Sequence, residues 1–159
     1  MTLVLLGTQN NDFHRLLDEV QKNIDSGKIK DEVIVQSGFT KYNSNKMKVF
    51  NLIPKIELEN LVKNADLIIT HAGMGSIELA LEHNKKVIAV PRLKKFGEHV
   101  NDHQKDIQQE FNKKGWIIGI DDVSQLSDAI EKAKKFKPKK YENNNQEKII
   151  KVIRTFIDK

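Results

Sequence analysis

The densest chemistry in the chain is the run Thr70-His-Ala-Gly-Met-Gly-Ser-Ile-Glu78. The apolar residues 65–69 lead into it, and the helix-forming residues 77–82 follow. A buried parallel strand reads as a continuous apolar run, so the order is strand, glycine-bearing turn, helix. Such a junction gathers unpaired main-chain N–H groups and the positive end of a helix at one point, which suits an anion such as phosphate. Gly73 and Gly75 let the backbone approach a ligand closely, and Ser76 either caps the helix or donates to a phosphate oxygen. Glu78, one turn in, either compensates the helix dipole or accepts from ribose hydroxyls, and His71 either packs in the turn or donates to the ligand.

Other uses of these residues are weaker. The dinucleotide fingerprint would need a glycine where Glu78 stands and would follow the first strand, not the fourth. A Walker loop needs Gly-Lys-Ser/Thr, which is absent. His99 and His103 stand at i, i+4, a usable metal spacing, but no third ligand is evident and the Glu of His-Glu-x-x-His is missing. No Asp-x-Asp occurs to hold a metal-bound diphosphate, so neither metal nor other cofactor is expected. The better reading has Asn101 or Asp102 capping a helix, with His103 and Gln104 offered to a polar ligand.

Positioning these residues takes a series of strands and helices. Strands are predicted at residues 2–6, 32–36, 47–51, 66–69, 86–90 and 116–120. Between them lie an amphipathic stripe (Phe13, Leu16, Leu17, Val20, Ile24), a polar loop at 41–46, and helices at 56–62, 77–82 and 101–113. Leu126, Ala129, Ile130 and Ala133 mark another helix, and a last one is expected over about 146–158, where apolar residues recur at helical spacing. Alternation of this kind argues a single α/β domain over residues 1–159, a doubly wound parallel sheet of about six strands. Its ligands bind beyond the carboxyl ends of the strands, where Gly7, Thr8, Ile53, His71 to Ser76 and Pro91 onward fall.

Composition narrows the classes further. With no cysteine, disulfides, thiolate metal sites and cysteine nucleophiles are excluded. The first seven residues lack a basic leader and a long apolar core, and no apolar run approaches the ~20 residues of a membrane span. A net charge of +5 attracts phosphates or anionic lipid, the lysines of 132–140 included, but 6% aromatic content without basic interleaving argues against nucleic acid.

Taken together, residues 65–76, 78–82, 86–91 and 101–104 resemble the nucleotide-sugar-binding half of family 28 glycosyltransferases, in particular its short single-half members. The resemblance implies the C-terminal, Rossmann-like half of a GT-B fold. It implies a UDP-sugar donor held by the main chain of Ile53 at uracil and by Glu78 at ribose. Met74, Gly75 and Ser76 would surround the diphosphate with Gly7 and Thr8 opposite, and His103 and Gln104 would reach the sugar. Arg92 or Lys94 would help stabilise departing UDP. It further implies inverting hexose transfer to a lipid-diphosphate-linked sugar, as in polysaccharide synthesis. A separate membrane-anchored subunit would supply the acceptor half and the general base, keeping this chain cytoplasmic at the membrane. A non-catalytic activator subunit and an unrelated nucleotide-binding enzyme are the competing readings.

Overall fold

A computed structural model describes residues 1–141. Six parallel strands form one sheet: β1 (Thr2–Leu5), β2 (Val33–Gln36), β3 (Lys48–Phe50), β4 (Leu67–His71), β5 (Val87–Val90) and β6 (Ile118–Gly119). Their order is β3-β2-β1-β4-β5-β6, the doubly wound arrangement of dinucleotide-binding folds. Five helices cover it: α1 (His14–Asp25), α2 (Lys55–Asn64), α3 (Met74–Glu82), α4 (His103–Lys113) and α5 (Leu126–Lys135). The expected fold class is therefore observed.

Alternation along each strand divides the core in two. Val4, Val35, Ile69 and Ile88 point to the face covered by α1 and α5, where they meet Leu16, Val20, Leu126 and Ile130. Leu3, Leu5, Ile68 and Ala89 point the other way, onto Val62 of α2, Ile77 of α3 and Phe111 of α4. No helix separates β2 from β3; the polar loop expected there holds, with Thr40 Oγ1 accepting the Phe13 N–H at 2.9 Å.

Boundaries shift where tertiary contacts outweigh local pattern. β4 extends to His71, and α3 begins at Met74 instead of Ile77, because the Ile77 N–H reaches Gly73 O at 3.2 Å and closes a turn around Gly75 and Ser76. β6 shrinks to Ile118–Gly119, since Trp116 and Ile117 pack into the α4 side of the core. Asn84 adopts a φ of 58°, a left-handed residue just past the end of α3. The helix expected over about 146–158 lies outside the described residues. Among the described residues no helix is long and apolar enough to cross a membrane.

Candidate functional site at the β1–β4 switch point

At the carboxyl edge, β1 leaves toward α1 on one face and β4 toward α3 on the other. A doubly wound sheet opens a crevice at such a switch point, and here a cleft of about 330 Å³ occupies it. Gly7 and Thr8 line it from β1, and Ile53 from the segment ahead of α2. His71, Gly73, Gly75 and Ser76 line it from β4 and the first turn of α3. These expected residues come together from three separate parts of the chain.

The start of α3 faces this space without a side-chain cap. Main-chain N–H groups before Ile77 have no partner inside the helix, so they and the positive helix end meet at the cleft. Gly75 is exposed there, and a Cβ added to it would meet nothing within 4 Å.

His71 is the pivot beneath that turn. It is 5% exposed, with Nδ1 3.1 Å from Gln104 Nε2 and Nε2 3.2 Å from Ser76 Oγ. Burial, aided by the Arg92 charge, pulls its pKa down to about 3, so the ring is neutral near pH 7. Glycine is needed on both sides of it: a Cβ on Gly7 would come within 2.5 Å of Nε2, and one on Gly73 within 2.1 Å of Cε1. Gly7 also sits at φ 80°, a left-handed conformation that favours glycine.

Gln36 was not anticipated. Its Oε1 accepts the Gly7 N–H at 3.2 Å, and its Nε2 donates to Gly7 O at 2.9 Å and Asn51 O at 3.2 Å. One buried amide thus ties the glycine loop of β1 to the chain leaving β3. The available signal was a glutamine closing an otherwise apolar strand, because a buried amide needs partners.

Other expected ligand residues stand off the cleft, and two of them are corrected. Arg92, expected beside the departing diphosphate, is 1% exposed and turned inward. Its guanidinium donates to Leu6 O at 2.6 Å, Asn11 O at 2.8 Å and Glu98 O at 3.1 Å, joining the loops after β1 and β5. Gln104, expected at sugar hydroxyls, is 3% exposed, and its Oε1 accepts the Arg92 N–H at 3.1 Å. Both residues are sealed beneath the loops, where main-chain carbonyls take the Arg92 Nη groups and the Arg92 N–H and His71 take the Gln104 amide.

Met74 packs against the core on the α3 side. Glu78 Oε1 accepts from the Tyr141 hydroxyl at 3.2 Å, and its carboxyl pKa is raised by burial and by Glu82, with Tyr141 opposing. His103 opens α4 with Asp102 in the N-cap position; the Asp102 side chain does not cap the helix, its Oδ1 accepting the Lys94 N–H at 2.9 Å, and Asn101 Oδ1, one residue earlier, accepts the His103 N–H at 3.0 Å. Lys94 itself lies exposed in a short 3-10 helix, Lys94–Phe96. His99 Nδ1 accepts the Asn101 N–H at 3.3 Å. Among the described residues no three His, Asp or Glu side chains gather as metal ligands.

Known proteins share this fold. The UDP-N-acetylglucosamine transferase subunit ALG13 of Debaryomyces hansenii is 31% identical over 119 residues, covering 72% of this chain and 53% of that protein. The chain spans about half the length of the curated relatives it matches. A solution structure of ALG13 superposes with a TM-score of 0.61 at 20% identity, covering 96% of both chains. The UDP-GlcNAc 2-epimerase of Methanocaldococcus jannaschii, solved with UDP-GlcNAc and UDP, superposes at 0.60 with 20% identity, over 97% of this chain and 45% of that one. Residues 1–156 match the glycosyltransferase family 28 C-terminal domain, and the chain belongs to that family.

Proposed function

We propose that this chain is the donor-binding subunit of a two-chain inverting glycosyltransferase using a UDP-hexose, either UDP-GlcNAc or UDP-galactose. The observation that carries the reading is the uncapped start of α3, with Gly75 open and Ser76 in the cleft, opposite Gly7 and Thr8. The diphosphate sits on those N–H groups without a metal. Uracil meets the main chain of Ile53, ribose reaches the Glu78 carboxylate, and the sugar lies toward His103.

In the reaction, an acceptor hydroxyl attacks the anomeric carbon from the face opposite UDP, its proton passes to a base, and UDP departs. This chain lowers the barrier by stabilising charge on the departing diphosphate through preorganised N–H and O–H donors. A cleft of about 330 Å³ is near the lower end of small-molecule sites, roughly 300–1,000 Å³, which suits a site with one wall on another chain. That partner is membrane-anchored, supplies the base, and presents a sugar on a lipid diphosphate, as in exopolysaccharide synthesis. This chain works on the cytoplasmic side, held at the membrane by its partner.

Calorimetric titration with UDP tests the donor site: binding is expected in the wild type and weaker by about tenfold in Ser76→Ala. No binding at millimolar UDP overturns it. Unchanged transfer by the reconstituted Ser76→Ala pair would favour an activator subunit instead.

A further inference from the structure

We propose that Gln104 and His71 are positioning residues that act through Ser76, fixing its hydroxyl as a donor into the cleft. This rests on the reading of the cleft as a diphosphate site. The direction of the hydrogen bonds makes the case. The Arg92 main-chain N–H is only a donor, so the Gln104 atom 3.1 Å from it is the carbonyl Oε1. That leaves the Gln104 amide NH₂ facing His71 Nδ1 at 3.1 Å, where it donates. Nδ1 is then an acceptor, and in the neutral ring the proton sits on Nε2.

Nε2–H points to Ser76 Oγ at 3.2 Å. With its oxygen already accepting that proton, Ser76 turns its own O–H toward the cleft that it lines. The imidazole is locked in this orientation, since Gly7 and Gly73 leave no more than room for the bare ring: a Cβ on either would come within 2.5 Å or 2.1 Å of it. The charged and titratable groups bearing on the ring are Arg92, from the loop after β5, and His99, beyond it; both disfavour a second proton, as does burial.

A histidine that accepted from Ser76 would reverse the hydroxyl and present a lone pair to phosphate. The buried Gln104 is what excludes that tautomer. Its role therefore differs from direct contact with the sugar.

The tautomer is read from ¹⁵N chemical shifts of histidine in the full chain, with His71→Asn used for assignment. A neutral ring protonated on Nε2 is expected throughout pH 5–8; a ring protonated on Nδ1, or one titrating near its usual pKa, overturns the relay. Gln104→Leu is expected to lose that single tautomer and to weaken UDP binding about tenfold, without further loss when added to Ser76→Ala. Additive losses in that pair would overturn action through Ser76. Should Gln104→Leu not fold, Gln104→Met keeps the volume, and the wild-type spectrum decides the tautomer without any variant. The spectrum also needs no ligand, so failure to bind UDP would sink the reading of the cleft separately.

Discussion

Arg15 of α1 and Glu98, beyond β5, form a two-pronged ion pair, with Nε to Oε2 at 2.9 Å and Nη2 to Oε1 at 3.0 Å. Glu98 is nearly buried, and its Oε1 also accepts the Leu93 N–H at 3.1 Å. Arg15 stacks on Phe96 at 4.4 Å as well. This pair and Arg92 make an ordered wall of a stretch that reads as irregular and basic.

Removing one partner of a buried pair strands the other charge, which typically costs about 3–5 kcal/mol. Arg15→Ala is therefore expected to lower the urea midpoint sharply. The double variant with Glu98→Ala should lose less than the sum of the two single changes, as read from the same unfolding curves.

The two glycines flanking Met74 should respond oppositely. Gly73→Ala drives a methyl into His71 and is expected to reduce stability by about 1–3 kcal/mol. Gly75→Ala meets nothing, and inside a helix alanine gains roughly 0.5–1 kcal/mol over glycine. Its methyl nevertheless stands at the cleft, so UDP affinity should fall while the melting temperature holds or rises. Calorimetry and thermal melts on the pair separate fold from ligand.

Acid should destabilise the fold through His71. Its pKa is about 3 when folded and near 6.5 in the free side chain, so the unfolded state binds more protons between those values. Stability then falls as pH drops from about 6.5 toward 3, by up to about 1.4 kcal/mol per pH unit from this group. His71→Asn should flatten that part of the curve, measured as unfolding free energy against pH; an unchanged slope would refute the assignment.

Glu78 offers a test of ribose recognition. Glu78→Ala is expected to weaken UDP binding by about tenfold and to leave binding of a dideoxyribose analogue unchanged, as followed by calorimetry. In Tyr141→Phe, the loss of the hydroxyl that holds the carboxylate should raise the Glu78 pKa further, seen by carboxyl ¹³C titration.

Much of the site was legible because its elements are local. The apolar strand before His71, the two glycines and the helix formers after Ser76 are contiguous, and turn chemistry follows from neighbouring residues. Gly7, Thr8 and Ile53 could be placed with them because the alternation of elements implies one carboxyl edge. Gln36 was missed since its partners, Gly7 and Asn51, are far along the chain.

Residue type and order, on their own, determined the parallel doubly wound sheet, the anion-friendly start of α3, and the resemblance to family 28 glycosyltransferases. Tertiary structure alone decided which polar side chains face the cleft. Arg92 and Gln104 carry the groups a ligand would want, yet both are buried among donors and acceptors from distant loops. Hydrogen-bond satisfaction inside a sealed core is a property of three-dimensional neighbours, and no spacing along the chain encodes it.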